Sequence, residues 1–222
     1  MFDMLQRIFI VLNLAYLLSA AVVMDRVAVI VGRRVVKSSD IDRDLKVSQF
    51  LNRQPADVTA EARRKAAERL IDQELIRQEM MNGGYRPPSE GDVNAFLEQL
   101  KRDRFNGSDA QFRSALARSG LSEDQLRQHL LWQLAVLRFI DQRFRPGVLV
   151  TDEDVRAYYD EHRSELQKAY PQSSSLEALD SNIRDIIAGE RVNRNFEEWV
   201  GEVRRGTRIE YREPALREGV SK

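Results

Sequence analysis

The chain has 222 residues, and its 35 lysines and arginines balance 35 aspartates and glutamates. A neutral chain lacks the basic excess with which proteins hold a phosphate backbone, so nucleic acid is disfavoured as a partner. The absence of cysteine excludes disulfides, thiolate metal sites and cysteine nucleophiles. The composition, with 32% charged and 42% hydrophobic residues, fits solvated helices that each bury an apolar stripe.

The first predicted element is an apolar segment at the N-terminus. Residues 8–23 (IFIVLNLAYLLSAAVV) form an almost unbroken apolar run, shorter than the ~20 residues that a membrane-spanning helix usually needs. Arg7 precedes the run, and Ser19-Ala20-Ala21 supplies the small residues that a signal peptidase requires. We therefore expect residues 1–21 to be a cleaved signal peptide for export. An uncleaved anchor or a buried element of the fold is the alternative.

Strands are predicted at both ends of the remaining chain. Residues 26–37 (RVAVIVGRRVVK) read as two β-branched runs around a break at Gly32-Arg33, which is typical of a β-hairpin. Residues 208–212 (RIEYR) alternate like a single strand, which cannot satisfy its own hydrogen bonds. We expect this strand to pair with the hairpin in one small sheet, which would make residues 25–213 a closed unit.

The sequence between these strands predicts helices throughout. Capping residues and apolar periodicity place helix starts near Ser39, Thr59, Ser89, Ser108, Ser122 and Thr151. A long final helix is predicted over residues 176–204, with Ser174 and Glu177 as its capping box. We therefore expect a mostly α fold with a small sheet. It would be a single domain over residues 22–222, with segments 25–166 and 176–213 folded together, a linker over 167–175 and a disordered tail over 214–222.

No pattern in the sequence is typical of catalysis or of metal binding. His129 and His162 lie on different predicted helices, and neither has a second ligand set three or four residues away. Asp152, Glu153 and Asp154 occupy the first turn of a helix, where acidic side chains offset the positive end of the helix dipole. The glycines form no phosphate-binding pattern. We therefore expect a protein that is not an enzyme and that uses no cofactor.

The residues best suited to bind another polypeptide are methionines and aromatic residues near predicted helix ends. They are Met80, Met81, Tyr85, Phe96, Phe105, Phe112, Tyr158 and Tyr159. Such side chains adapt to varied apolar partners at low cost. The alternative is that most of them fill the core between helices, and we favour this interpretation for the majority.

Four segments, taken in order, resemble one family. They are MDRVAVIVGRRVVKSSDID (24–42), RRKAAERLIDQELIRQEM (63–80), GLSEDQLRQHLLWQLAVLRFID (120–141) and VTDEDVRAYYDEH (150–162). Their order and spacing resemble those of the SurA-like periplasmic chaperones, which are related to foldases of the trigger-factor and PrsA type. The resemblance implies a helical chaperone core that binds unfolded envelope or outer-membrane proteins without nucleotide.

The sequence departs from the family's pattern after residue 166. Members carry one or more parvulin-type prolyl isomerase domains at this point, each of about a hundred residues, whereas here about nine residues, 167–175, join the two predicted helices. The resemblance therefore implies an ATP-independent holdase without isomerase activity, with membrane contact only through an uncleaved N-terminal segment. A non-catalytic scaffold subunit that binds one folded envelope partner is the alternative.

Overall fold

The structure, a computed structural model, describes residues 25–85 and 87–217, so the predicted signal peptide lies outside the described residues. The strands are β1 (Val27–Val31), β2 (Arg34–Lys37) and β3 (Ile209–Tyr211). The helices are α1 (Ser38–Asn52), α2 (Ala60–Gly83), α3 (Glu90–Phe105), α4 (Asp109–Arg118), α5 (Glu123–Phe144), α6 (Asp152–Ala169) and α7 (Leu176–Gly206). Short 3₁₀ turns follow α5 at Arg145–Gly147 and β3 at Pro214–Leu216. The expectation of a mostly α fold with one small sheet is confirmed.

The sheet brings the two ends of the described chain together. Its order is β2-β1-β3 with both pairs antiparallel, and Ile30 of β1 lies opposite Val35 on one side and Glu210 on the other. Gly32 makes the tight turn between β1 and β2 with φ at +58°, a conformation that favours glycine. Its N–H also donates to the carbonyl of Arg208 at 2.8 Å, which extends the pairing with the C-terminal segment.

Local capping explains where most helices begin. The side chains at the predicted caps accept a hydrogen bond from a backbone N–H three residues on, as Thr59, Ser89 and Thr151 do at 3.2–3.3 Å. Two starts differ from expectation. The first helix begins at Ser38, and the last is capped by Ser175, whose side chain accepts from Ala178 N at 3.2 Å, in place of the predicted Ser174.

The first of three apolar cores lies between the sheet and helices α1 and α2. It contains Ala28, Val29 and Val31 of β1, Ile41 and Leu45 of α1, and Ala66, Ala67, Ile71 and Leu75 of α2. Leu216, only 1% exposed, completes it. The expected disordered tail is therefore wrong for residues 214–217. Periodicity could not predict this contact, because Leu216 is a single buried residue after the last strand and belongs to no repeating apolar pattern.

The second core joins α3, α4 and α5 to the end of α1. Phe112 of α4 is fully buried and lies at 5.5 Å from Phe105 and 6.5 Å from Phe50, measured between ring centroids. Leu97, Leu126 and Leu130 close around these rings. Such edge-to-face aromatic packing adds to the stabilisation that burial of apolar area provides.

Helices α6 and α7 form a hairpin with the third core, which contains Val155, Leu166, Leu179, Ile183 and Ile187. Only residues 170–175 join the two helices, fewer than the predicted linker, because α6 continues to Ala169. Arg191 of α7 donates to Asp154 at 2.6 Å, and Arg184 donates to the carbonyl of Val150 at 3.0 Å. The bond from Arg191, followed by that from the backbone N–H of Thr151 at 2.9 Å, holds the pKa of Asp154 well below its usual value.

The C-terminal half of α7 returns to the other helices. Trp199 packs against Phe139 and Phe144 of α5 at centroid distances of 5.5 and 5.8 Å. Arg204 donates to Asp72 of α2 at 2.7 Å and also pairs with Glu68. Helices α2 and α5 thus both pack against α1 and α7, and the space that remains between α2 and α5 is open.

Candidate binding cleft

Two adjoining grooves occupy the space between α2 and α5. Groove A, of about 690 Å³, is defined by Met80, Met81, Tyr85, Pro88 and Leu131, and β2 reaches its edge. Groove B, of about 710 Å³, is defined by Leu51, Ile76, Leu137, Phe196 and Val200. Four residues, Asp44, Gln73, His129 and Trp132, line both grooves. The two grooves therefore meet at one boundary, and we call them together the cleft.

Groove A has an adaptable apolar wall at the C-terminal end of α2. The side chain of Met81 is 65% exposed, and Met80 beside it is half-buried. Tyr85 folds back over the helix end, with its ring edge-on to Phe139 at 4.9 Å. A Cβ at Gly83 would lie 2.3 Å from the Tyr85 ring, so glycine at this position permits that placement.

Trp132 is the largest side chain that lines both grooves. The guanidinium of Arg77 lies 4.2 Å from the centre of its ring, within range of a cation–π interaction. Arg77 is itself oriented by a hydrogen bond of 3.2 Å from Nε to Glu74. This arrangement holds the ring between α2 and α5 and leaves it in contact with both grooves.

Groove B is formed by aliphatic and aromatic side chains from four helices. At the edge of groove B, Leu137 of α5 is 63% exposed, although the residues just before it on the helix are apolar. Phe196 and Val200 supply the wall from α7, and Ile76 supplies the wall from α2. Together with these walls, Leu137 forms a contiguous apolar surface that another apolar chain could cover.

A charge-compensated pair lies at the boundary of the two grooves. Asp44 is only 5% exposed, and Arg69 Nε donates to its carboxylate at 3.1 Å, which offsets the cost of burying the charge. Burial lowers the pKa of His129, with Asp44 opposing and Arg69 adding to this effect. Burial thus favours the neutral imidazole, and together with the Asp44–Arg69 pair this leaves little uncompensated charge at the centre of the cleft.

The structure brings three of the eight candidate residues together. Met80, Met81 and Tyr85 all line groove A. Trp132, Leu137 and Phe196 were missed, although α5 carries a signal for the first two. Its residues 130–137 are apolar at all but one position, which is more than a single buried stripe requires.

The other five candidates lie elsewhere. Phe105 and Phe112 belong to the second core, so we remove them from the candidate site. Phe96 is 45% exposed on α3, outside both grooves. Tyr158 and Tyr159 pack in the α6–α7 hairpin, where the hydroxyl of Tyr159 donates to the carbonyl of Ser174 at 2.8 Å.

The described residues show no arrangement that suits a metal or a membrane span. Within residues 25–85 and 87–217, histidine and carboxylate side chains nowhere come together in a group of three that could hold a metal ion. Over the same part of the chain, every helix is too short or too polar to cross a membrane.

The chain is similar to two chaperones. It is 29% identical over 138 residues to "Chaperone SurA" of Pseudomonas putida, which covers 61% of this chain and 32% of that protein. It is 28% identical over 184 residues to "Chaperone SurA" of Pseudomonas syringae pv. tomato, which covers 78% of this chain and 42% of that protein. The chain thus spans less than half the length of these relatives. No protein-family model matches it.

Proposed function

We propose that this protein is an ATP-independent chaperone of the periplasm, exported through residues 1–21, that holds unfolded outer-membrane or other envelope proteins by their apolar segments. The observation that carries the proposal is the cleft, in which two apolar grooves adjoin across the Trp132 ring and expose Met81 and Leu137. The similarity to "Chaperone SurA" of two Pseudomonas species supports the same function.

The chemistry of the cleft suits extended chains of varied sequence. Methionine and aromatic side chains in groove A can adjust to different apolar residues. Gln73, Gln125 and Gln128 line the same groove. Gln125 already accepts from Ser122 and Gln128 already donates to Asp124, and the remaining donor and acceptor positions of the three amides can bind a client backbone. Because Asp44 and Arg69 compensate each other, the centre of the cleft does not select for one sign of charge.

Binding of this kind is expected to be weak and broad. Burial of a few apolar side chains contributes about 25 cal/mol per Å². The ordering of a flexible client opposes this gain, so only micromolar affinity remains. Because the driving force is apolar, binding should change little with salt concentration and should not respond to nucleotide.

The test is suppression of aggregation. A urea-unfolded outer-membrane protein is diluted into buffer of physiological salt with the exported form of the chain at near-equimolar concentration, and light scattering is followed. We expect slower and smaller scattering, and no effect of added ATP. Unchanged aggregation, together with tight stoichiometric co-purification of one folded envelope protein, would replace this proposal with the scaffold alternative.

We also propose that the protein has no prolyl isomerase activity. The support is the short connection of residues 170–175 between α6 and α7, at the place where the resemblance implies an isomerase domain. In a protease-coupled assay on a proline peptide, the cis-to-trans rate should equal the uncatalysed rate, set by a barrier of ~18–20 kcal/mol. A rate that rises in proportion to the concentration of purified protein would disprove this proposal.

A further inference from the structure

The oxidisable sulfur of the described chain is concentrated in one groove. The chain has no cysteine, and three of its five methionines, Met1, Met4 and Met24, lie outside the described residues. The remaining two, Met80 and Met81, both line groove A. Thioethers are among the side chains that oxidants attack most readily in proteins. Any oxidation of sulfur within residues 25–217 therefore acts on this groove.

The two methionines differ in their access to solvent. The side chain of Met81 is 65% exposed, whereas Met80 is half-buried in the groove wall. Met81 also has a polar neighbour, because Arg34 of β2 places a guanidinium nitrogen 3.5 Å from its sulfur. A dissolved oxidant can reach the sulfur of Met81 before that of Met80.

We propose that Met81 is an oxidation site through which peroxides lower the affinity of groove A for apolar segments. In the step, a sulfur lone pair attacks one oxygen of hydrogen peroxide, so that an S–O bond forms as the O–O bond breaks. The proton on the attacked oxygen passes to the departing hydroxide, which leaves as water; the sulfur is oxidised by two electrons to the sulfoxide and the peroxide is reduced. The site itself follows from exposure and from the Arg34 contact. Its effect on affinity rests on the function proposed above.

The physical reason is the change from an apolar thioether to a polar sulfoxide. The new oxygen is a strong acceptor, and the guanidinium of Arg34 already lies beside the sulfur. A charge-assisted hydrogen bond would hold the oxidised side chain towards β2. A client would then lose apolar contact with Met81 and would have to displace this bond to regain it.

The site is tested by mass spectrometry. The folded chain is treated with limiting hydrogen peroxide, quenched at intervals and digested, and the sulfoxides at residues 80 and 81 are quantified from fragment ions. We expect Met81 to oxidise faster than Met80, because it is the more exposed of the two. Equal rates, or faster oxidation of Met80, would overturn the assignment whether or not the protein binds a client.

The effect on binding is tested with a labelled apolar peptide. Peroxide treatment should weaken its binding to the unsubstituted chain by about fivefold, since one contact in groove A is lost. Each variant is compared with itself before treatment: peroxide should leave the Kd of Met81→Leu unchanged from its own untreated value, whereas Met80→Leu should still lose about fivefold in affinity. If peroxide lowers the affinity of Met81→Leu as much as that of the unsubstituted chain, oxidation of Met81 is not the cause of the weaker binding. If the untreated chain binds no peptide, the proposed chaperone function fails while the oxidation result stands by itself.

Discussion

Truncation after Gly206 is expected to lower the free energy of unfolding by at least about 4 kcal/mol, the upper part of the range for a large core deletion. The truncation removes β3, which pairs with β1, and it removes Leu216 from the first core. It also removes the hydroxyl of Tyr211, which donates to Glu68 at 2.6 Å.

The deleted segment also supplies a carboxylate that joins two helices. Glu213 accepts from the Ser38 hydroxyl at 3.1 Å at the start of α1 and from Arg63 of α2 at 3.2 Å. Loss of Glu213 removes one carboxylate partner of Arg63 and leaves its pair to the half-exposed Asp42. The C-terminal segment thus completes the sheet and the first core, and it binds side chains near the start of both α1 and α2.

Urea unfolding followed by circular dichroism measures this effect. Leu216→Ala alone should lower the free energy of unfolding by about 2–4 kcal/mol, because a buried leucine leaves a cavity. Leu149→Ala is the matched control: its side chain is 75% exposed, so its effect should stay within about 0.5 kcal/mol. A truncated chain with an unchanged unfolding midpoint would show that the C-terminal segment does not support the helices.

Trp132→Ala is expected to weaken the binding of an apolar peptide by about 2 kcal/mol, or about thirtyfold in Kd, as for a central aromatic residue in an interface. The ring lines both grooves, so its removal affects a client in either one. Arg77 would also lose the ring beneath its guanidinium, while its hydrogen bond to Glu74 would remain.

Two further substitutions distinguish binding in the cleft from non-specific apolar binding. Leu137→Ala removes an exposed side chain of groove B and should weaken binding by a smaller factor, about fivefold. Phe96→Ala removes an aromatic residue that is also exposed but lies on α3 outside both grooves, and it should leave Kd unchanged. Fluorescence anisotropy with one labelled peptide compares the variants, and thermal unfolding checks that each is folded. Equal losses for Phe96→Ala and Trp132→Ala would reject the cleft as the binding site.

The sequence alone predicted most of the helix starts, the N-terminal hairpin and the partner of the last strand. Caps such as Thr59 and Ser122 mark helix starts because the cap and the N–H that it satisfies lie within three residues of each other. The hairpin followed from the turn at Gly32, and the pairing of β3 followed from the need of a lone strand for a partner. These features require no knowledge of which helices pack together.

The tertiary structure decided which apolar residues face a core and which face the cleft. Phe112 and Trp132 are both aromatic residues at helical positions, yet one is fully buried and the other lines two grooves. The difference arises because α1 and α7 hold α2 and α5 apart around Trp132, whereas α3 and α5 close over Phe112. Exposure of a side chain depends on the distance between elements far apart in sequence, and periodicity within one helix carries no information on that distance.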